Sequence, residues 1–451
     1  MLDKKTMNMP GAAVSQDWTF SSVAAVERAI QDVRTKAPPM LPAGLDRPLR
    51  FMEKLGSPHL SLPPVFHVAG TNGKGSTLAF LQAVFESGGL SVHKFTSPHL
   101  VKFEERVVVA GREIGADMLL DLIDECTRAA ADETVSFFEF FTGLAFLAYA
   151  RVPADVLLLE TGLGGTYDAT NIIDKSVALL TRISFDHMRL LGDTLPEIAA
   201  NKAGIIKRNC PVIIAPQSDD VMDVFLARAR EMHAPVSLYG RDWKTVMTGD
   251  AFEYQGSSVQ ARLPLPRLIG SHQIINAGTA LAGLEHSAFK DLLKQDILAR
   301  AMNTVTWPGR MQRLDHGHLA DLLPQGWELW IDGAHNDSGA DVIVEQAKAW
   351  GADKPLHIIT GFKRKKDTEG FYERLAGIPR TIQAVNANID APMVSPQELC
   401  DELKNLGFSG VSPAENLESA LQSLVFQFKE PQRILITGSL YLVGLALKLN
   451  I

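Results

Sequence analysis

Cysteine is scarce in this 451-residue chain, which contains only Cys126, Cys210 and Cys400. Three widely separated cysteines cannot build a disulfide framework or a paired-cysteine metal site, and their scarcity suits a reducing, cytoplasmic location. No run of about 18 uninterrupted apolar residues occurs, so we expect no membrane span. Residues 1–20 also lack the apolar core of a secretory signal.

The chain has no excess of basic residues, because 44 Lys and Arg stand against 52 Asp and Glu, giving a net charge of −8. A surface of that sign repels phosphate polymers, so we expect no nucleic-acid partner. Any phosphate site must then be local and built from backbone N–H groups with a few Lys or Arg. The hydrophobic content of 46% is that of a soluble globular protein, and the length predicts two or three domains.

Apolar runs typical of buried strands alternate with helical segments along the chain. The first series of predicted strands occupies residues 65–70, 154–160, 176–184 and 210–216. The second series occupies residues 327–336, 356–361, 381–387 and 433–439. Strands that alternate with helices predict parallel sheets. The Pro-Gly punctuation within VTWPGRMQRL (305–314) predicts a domain boundary near residue 306.

We therefore predict an α/β protein of two domains. Residues 1–306 are expected to form a P-loop-like N-terminal domain with a mostly parallel sheet. Residues 307–451 are expected to form a smaller Rossmann-like C-terminal α/β domain.

The stretch VFHVAGTNGKGST (65–77) places a glycine-rich turn between a predicted strand and a predicted helix. Backbone N–H groups and a helix N-terminus attract phosphate, and Lys74 adds a positive charge. The predicted phosphate contacts are Asn72, Gly73, Lys74, Gly75 and Ser76. The strict GxxxxGK[ST] pattern fails, because it requires glycine at Val68 and a hydroxyl at Gly75. The loop is therefore a P-loop variant or, in the alternative interpretation, a tight turn that contains glycines.

Two predicted strand ends carry side chains suited to a metal ion. Glu160 ends the run ADVLLLE, and His187 follows the run SVALLTRIS. The carboxyl ends of parallel strands line the ligand crevice of an open α/β sheet, where a carboxylate suits Mg²⁺. Taken alone, Glu160 is more readily a solvent-facing acid and His187 a structural histidine. The phosphate loop on a neighbouring strand favours the metal for Glu160.

Further short motifs follow in order along residues 40–445. They are GTNGKGST (70–77), TSPHL (96–100), ETGLGGTYDATN (160–171), DH (186–187), NKAGIIK (201–207), SHQIINA (271–277), WPGRMQ (307–312), DGAHN (332–336) and ITGSLYLVG (436–444). Together they resemble the ATP-dependent folylpolyglutamate synthase/dihydrofolate synthase family, which is similar to the Mur ligases of the cell wall. The resemblance implies that residues 1–306 are a Mur ligase central-type ATP-binding domain with pterin-binding loops. It implies that residues 307–451 are the glutamate ligase domain.

The resemblance also implies a metal site and a modified lysine. Two Mg²⁺ ions would be held by Ser97, Glu160, His187 and Lys202. Lys202 would carry a carbamate derived from CO₂, which turns a cation into an anionic oxygen ligand. The family usually has Glu before this lysine, whereas this chain has Asn201. Without the resemblance, a lysine on a helix is ordinarily a solvated surface residue.

Residues of both predicted domains are implied to bind ATP. Beyond the phosphate loop, the implied contacts are Asn276 on the adenine side, Arg310 on the phosphates and Asp332. His335 is implied to meet the nucleotide and the incoming glutamate. Lys74, Lys202, His187 and His335 are the implied catalytic residues. The alternative for DGAHN is a turn that caps the following helix.

Three further segments match the family's dihydropteroate site, namely GLDR (44–47), SFFE (136–139) and TYDA (166–169). The implied pterin-binding residues are Gly44, Leu45, Ser136, Phe137, Phe138, Glu139, Tyr167, Asp168 and Ala169. The two phenylalanines suit stacking on a flat ring, although such pairs are more often core. The family's GGR is GGT here, so Thr166 replaces an arginine.

The implied reaction is ATP-dependent amide ligation. The carboxylate of dihydropteroate or a reduced folate takes the γ-phosphate of ATP, and L-glutamate attacks the acyl phosphate. The family is usually monomeric. One rival is a Mur-type ligase acting on another carboxylate, and a second rival is a non-catalytic nucleotide-binding module. Whether the enzyme has one activity or both, the length of the glutamate tail and the linkage stay open.

Overall fold

The computed structural model describes residues 20–38, 41–174, 176–364, 366–387 and 392–451, with side chains from residue 23 onward. Two α/β domains are present, as the sequence predicts. Residues 1–19 of the predicted N-terminal domain lie outside the described residues. Within the described residues, no helix combines the length and apolar character needed to cross a bilayer.

The N-terminal domain is built on an eight-stranded sheet of order β4-β3-β2-β5-β1-β6-β7-β8. Its strands are β1 (Val65–Ala69), β2 (Val92–Phe95), β3 (Val107–Val109), β4 (Arg112–Glu113), β5 (Val156–Glu160), β6 (Val177–Leu180), β7 (Val212–Ile214) and β8 (Val236–Leu238). Six strands run parallel, and β3 and β4 add an antiparallel edge. β1 and β5 are buried along their whole length, as expected for strands covered on both faces.

Helices cover both faces of this sheet. They are α1 (Phe20–Lys36), α2 (Asp46–Lys54), α3 (Lys74–Ser87), α4 (Ala116–Ala129), α5 (Phe137–Arg151), α6 (Met188–Leu191), α7 (Leu195–Ala203), α8 (Asp219–Glu231), α9 (Ser271–Glu285) and α10 (Gln295–Thr304). Phe66 on one face of β1 packs with α3, α9 and α10, whereas Val65 on the other face packs with α2 and α5. The strand alternation of side chains therefore divides the core into two layers.

A separate three-stranded antiparallel sheet was not predicted. It consists of β9 (Lys244–Thr248), β10 (Ala251–Gln255) and β11 (Gln260–Pro264), with β10 in the centre. Phe252, Tyr254 and Leu263 point into the core beside α9 and α10. This sheet extends the hydrophobic layer behind the phosphate-loop helix.

The C-terminal domain has a six-stranded sheet of order β12-β13-β17-β14-β15-β16, in which only β12 is antiparallel. Its strands are β12 (Gln312–Leu314), β13 (Glu328–Ile331), β14 (Leu356–Thr360), β15 (Thr381–Ala384), β16 (Val411–Pro413) and β17 (Arg433–Thr437). Its helices are α11 (His318–Asp321), α12 (Asp337–Trp350), α13 (Thr368–Arg374), α14 (Pro396–Asn405), α15 (Leu417–Gln427) and α16 (Leu440–Leu449). The segment between Thr304 and Gln312 joins the domains.

Parallel pairing brings the functional strand ends together. Val68 of β1 lies opposite Glu160 of β5, and Ala69 of β1 lies opposite Leu180 of β6. The loops that leave β1, β5 and β6 therefore emerge at the same edge of the sheet, as expected for a ligand crevice.

Candidate active site

A cavity of about 1300 Å³ separates the two domains at this edge and is lined by residues of both. All the residues predicted from sequence to form the site line this cavity except two, Leu45 and Phe137. Residues far apart in the sequence, from Gly44 to His335, thus line the same cavity.

Leu45 and Phe137 belong to the hydrophobic core instead. The Phe137 ring lies 4.7 Å from the Phe141 ring, centroid to centroid, and the Arg34 guanidinium lies 5.1 Å above it. Successive residues of a helix point about 100° apart, so only one of two adjacent phenylalanines faces the cavity. That residue is Phe138, whose ring lies 2.4 Å from where a Cβ on Gly162 would stand.

The phosphate loop has the backbone conformation that its glycines predict. Gly73 has φ of 92°, in the left-handed region, and α3 begins at the next residue. Lys74 Nζ donates to the carbonyls of Gly70 (3.2 Å) and Thr71 (3.1 Å), and it lies 3.9 Å from Oε1 of Glu160. The ammonium group is thus held over the loop by weak carbonyl contacts that a phosphate group can replace.

Glu160 is buried at the end of β5 beside Ser97. Its Oε2 accepts a hydrogen bond of 3.0 Å from the Ser97 backbone N–H. Burial raises the pKa of Glu160, and the charge of Lys74 opposes this only in part. A buried carboxylate with so little compensation is suited to a cation.

Lys202 is not a surface lysine. Its side chain is buried, and Nζ donates to the Gly70 carbonyl at 3.0 Å. Burial, with a smaller effect from the charge of Lys74, lowers the pKa of Lys202 to about 7. A substantial fraction of the amine is therefore neutral near pH 7, and the neutral amine is the form that reacts with CO₂.

The two departures from the family pattern meet in space. The backbone N–H and the hydroxyl of Thr166 both donate to the Asn201 carbonyl, at 2.8 and 2.9 Å. The Asn201 side chain donates to the Leu191 carbonyl at 2.9 Å. Neutral hydrogen bonds thus fasten this loop beside Lys202.

Asp186 collects three basic side chains, a role that the sequence analysis did not assign to it. Its carboxylate contacts Lys366 and lies 3.5 Å from Nε2 of His335 and 3.7 Å from Nε2 of His187. Burial acts to raise the pKa of Asp186, but these three neighbours outweigh it and hold the pKa well below its usual range. Asp186 and His187 belong to one domain, and His335 and Lys366 to the other.

The histidines of this cluster are placed for different uses. His335 Nδ1 lies 2.8 Å from the Gly333 carbonyl, so Nδ1 carries a proton, and Nε2 lies on the side of Asp186. Burial lowers the pKa of His187 to about 4, although Asp186 opposes the shift. His187 is therefore neutral near pH 7, as a metal ligand must be.

Hydrogen bonds also join the phosphate loop to the second domain. Asn72 Nδ2 donates to Oδ1 of Asn336 at 3.1 Å and contacts the Ser338 hydroxyl. The Ser184 hydroxyl donates to Ser338 at 2.9 Å. Asn336 also caps α12 by accepting from the Gly339 N–H, so the helix-cap interpretation holds for this residue.

The Asp332 carboxylate is held by the backbone. It accepts from the N–H groups of Met311 at 2.7 Å and Ala334 at 2.8 Å. Arg310 lines the cavity, and its Nη1 donates to the carbonyl of the neighbouring Gly309 at 3.0 Å. Asp332 thereby fixes the turn that presents Arg310 and the DGAHN segment.

Beside Asn276 the cavity wall has unsatisfied polar atoms that the sequence analysis missed. Asn276 Nδ2 donates to Oε1 of Gln273 at 3.0 Å. Gln273 Nε2 and His272 Nδ1 are buried and have no hydrogen-bond partner among the described residues. Because buried polar atoms are nearly always paired, this wall suits a ligand that has its own donors and acceptors.

At the far end of the cavity, Glu139 is already paired. It accepts from Arg47 Nε at 3.0 Å and Nη2 at 2.7 Å, and from the Ser136 N–H at 2.7 Å. Arg47 Nη2 donates as well to the Pro42 carbonyl at 3.2 Å. Glu139 therefore anchors the loop around Gly44 as a wall of the cavity.

The chain supplies few ligands for a metal ion. No group of three or more His, Cys, Asp or Glu side chains is close enough to hold one anywhere in the described parts of the chain. Mg²⁺ usually keeps several waters and shares its coordination with substrate phosphates. The buried Glu160 carboxylate and the neutral His187 fit an ion of that kind.

Comparisons with known proteins agree with this geometry. A model of the Mur ligase middle domain matches residues 68–284, and a model of the dihydrofolate synthetase C-terminal domain matches residues 312–449. The dihydrofolate synthase/folylpolyglutamate synthase of Bacillus subtilis is 30% identical over 418 residues, which cover 89% of this chain and 93% of that protein.

Solved structures show the same fold. E. coli FolC in complex with DHPP and ADP is similar with a TM-score of 0.83 and 26% identity, over 94% of this chain and 97% of that one. A bifunctional folylpolyglutamate synthase/dihydrofolate synthase with Mn, AMPPNP and L-glutamate bound gives a TM-score of 0.80 and 27% identity, over 94% and 97% of the chains. The chain therefore belongs to the dihydrofolate synthase/folylpolyglutamate synthase family and is an ATP-dependent ligase.

Proposed function

We propose that this enzyme joins L-glutamate to the carboxylate of dihydropteroate, of a reduced folate or of both, through an acyl phosphate made from ATP. The observation that carries the proposal is the single cavity, which joins the phosphate loop, the Phe138–Asp168 end and the basic residues of the second domain. The relatives named for both activities and the ligands in the similar structures support the same substrates.

The first step brings a carboxylate to a triphosphate, so the site must supply positive charge. Lys74 and Arg310 both line the cavity and face it from opposite domains. We assign them to the phosphate oxygens, where they would stabilise the charge that moves toward the leaving ADP. Gln273 and Asn276 would form hydrogen bonds with the adenine.

We assign two divalent ions to this cavity, one at Ser97 and Glu160 and the other at His187 and a carbamate on Lys202. When bound, such ions neutralise phosphate oxygens during transfer. The similar structure that contains Mn and AMPPNP supports the use of a divalent ion. The burial and lowered pKa of Lys202 support its carbamylation, because both favour the neutral amine.

The second step requires glutamate to reach the acyl phosphate from the side of the second domain. Lys366 and His335 line that wall, and we assign them to the glutamate, whose carboxylates need cations. The acyl phosphate hydrolyses in water, so the contacts between the domains serve to keep the cavity closed. The amino group then attacks the acyl carbon, and inorganic phosphate leaves.

We further infer that the enzyme acts as a monomer in the cytoplasm. The three cysteines are unpaired, and Cys126 and Cys400 are buried, as suits a reducing compartment. Light scattering of the purified enzyme checks the first statement. A mass twice that of the chain would contradict it.

Mass spectrometry of reaction products tests the proposed function. Dihydropteroate, tetrahydrofolate and a UDP-muramoyl peptide are each incubated with enzyme, ATP, Mg²⁺ and glutamate. We expect a product one glutamyl residue heavier from a pteroyl substrate, with equimolar phosphate. Product only from the UDP-muramoyl peptide would favour the Mur-type rival, and nucleotide binding without phosphate release would favour the non-catalytic one.

A further inference from the structure

A chain of three buried polar side chains runs from the centre of the N-terminal sheet to the cavity wall. His67 lies in β1 between β5 and β6, and its Nε2 is 2.9 Å from the Thr170 hydroxyl. The Thr170 hydroxyl donates in turn to Oδ1 of Asp168 at 2.5 Å. Of the three, only Asp168 lines the cavity.

The hydrogen bonds in this chain have one direction. An ionised carboxylate can only accept hydrogen bonds, so the Thr170 hydroxyl donates its single hydrogen to Asp168. The same hydroxyl must then accept from His67, which places the His67 proton on Nε2. His67 Nδ1 is bare, buried and without a hydrogen-bond partner among the described residues. Burial, with a smaller effect from the charge of Lys207, lowers the pKa of His67 to about 3, so the ring is neutral.

Backbone groups complete the hold on Asp168. Its Oδ1 accepts from the Thr170 N–H at 3.0 Å, and its Oδ2 accepts from the Leu163 N–H at 2.8 Å. Burial raises the pKa of Asp168, while these donors on both of its oxygens oppose the shift and restrict the carboxyl group to one rotamer. The carboxylate that faces the cavity is therefore an acceptor of fixed direction.

Packing alone does not account for His67. The other residues of β1 are Val65, Phe66, Val68 and Ala69, all buried in apolar layers. A histidine among them leaves one nitrogen unpaired, which is unfavourable for folding. Among the described residues, the His67 side chain is hydrogen-bonded to Thr170, which in turn is hydrogen-bonded to Asp168 at the cavity wall.

We propose that His67 acts through Thr170 as a positioning residue for Asp168, and that this chain makes the far end of the cavity selective for a flat heterocycle presenting N–H donors. The inference rests on the proposed function, in which that heterocycle is the pterin ring of the substrate. An acceptor locked in place discriminates against rings that lack a matching donor, because the lone pair that it directs at the cavity is then left without a partner.

Thr170→Val tests the inference, since valine keeps the shape and removes only the hydroxyl. We expect the KM for dihydropteroate or tetrahydrofolate to rise about tenfold, as one oriented hydrogen bond is lost, while the KM values for ATP and glutamate stay within about twofold. Thr170→Ser should restore the KM. His67→Met should behave like Thr170→Val, and His67→Gln, which keeps a donor at the same reach, should behave like wild type.

Thr279→Val is the matched control. Thr279 is fully buried, and its hydroxyl donates to the Ile275 carbonyl of its own helix. This variant should leave all three KM values unchanged. If wild type turns over the pteroyl substrate and Thr170→Val changes none of the KM values, or all three equally, the inference is wrong and the proposed function stands. If wild type forms no glutamylated pteroyl product, both are wrong.

Discussion

The Asp186 carboxylate of the N-terminal domain lies 3.5 Å from Nε2 of His335 in the C-terminal domain. Lys366 contacts the same carboxylate from the second domain. One acidic side chain thus draws two basic side chains of the other domain to the edge of the cavity. This relationship ties the closed arrangement of the domains to the placement of the residues we assign to glutamate.

Replacing Asp186 should therefore damage catalysis more than stability. We expect Asp186→Asn to lower glutamate-dependent phosphate release about tenfold or more, because a neutral amide lacks the negative charge that holds Lys366 and His335 at this place. Asp341→Asn is the control, since Asp341 pairs with Arg374 on the surface. Equal activity in the two variants would contradict the role of Asp186.

Lys74→Ala should abolish glutamate-dependent release of ADP while the protein stays folded. Among the described residues, the Lys74 ammonium contacts two loop carbonyls and the Glu160 carboxylate, so its loss removes charge from the phosphate site without opening the core. Steady-state ADP assays and circular dichroism measure the two effects. Lys348→Ala, at an exposed position of α12, serves as the control. Undiminished turnover in Lys74→Ala would remove the phosphate role.

Lys202→Ala should lose about a hundredfold or more of the activity and recover part of it with added acetate or formate. A short carboxylate can occupy the space of the missing carbamate and supply its oxygen ligands. Mass spectrometry of intact wild type under mild conditions should also detect the added CO₂. Wild-type rates in Lys202→Ala would show that the buried amine has no catalytic part.

Gly73→Ala should raise the KM for ATP and leave the KM for glutamate nearly unchanged. A Cβ on Gly73 would stand 2.6 Å from Oδ1 of Asn276, and the residue has φ of 92°. Gly249→Ala carries similar backbone strain, with φ of 65°, but has open space around its Cβ. Any difference between the two variants thus reports the contact with Asn276, and identical nucleotide kinetics would argue against it.

The stability of the C-terminal domain should depend on pH through Glu328. Although burial raises it, hydrogen bonds from Arg433, Lys354 and Trp330 bring the pKa of Glu328 down to about 2, below its usual value of 4.5. A depressed pKa means that the ionised form stabilises the fold above the usual value and that this stabilisation is lost as the pH falls toward 2.

We therefore expect Glu328→Gln to lower the melting temperature at pH 7, and the difference from wild type to shrink as the pH falls from about 5 to about 3. Thermal unfolding of both proteins across this range measures it. Glu125→Gln, which breaks an exposed pair with Arg151, should change little at any pH. A difference that grows toward acid would have the wrong sign.

The sequence predicted those parts of the fold that depend on local patterns. Apolar runs such as 154–160 contain the observed strands, and the glycines of GTNGKGST occupy a strand–helix turn. The antiparallel strands between Lys244 and Pro264 were missed, because β9 and β11 are short and contain no long apolar run.

Contacts between residues far apart in the chain could not be predicted from the sequence. Asp186 and Lys366 are 180 residues apart, and no local pattern pairs them. The choice between Phe137 and Phe138 also required the observed helix, because the sequence alone does not show which of the two adjacent rings faces the cavity. His67 was hidden for a different reason, since a single histidine in an apolar strand is indistinguishable from a packed core residue until its neighbours are known.

Asn72 gives the phosphate loop a second attachment, through its bonds to Asn336 and Ser338 across the cleft. A nucleotide that binds the loop in this conformation therefore also favours the contact between the loop and the C-terminal domain. Because such coupling is reciprocal, a change that favours separation of the domains must weaken nucleotide affinity by the same factor. The release of ADP and the release of the glutamylated product should then accompany the same separation of the two domains.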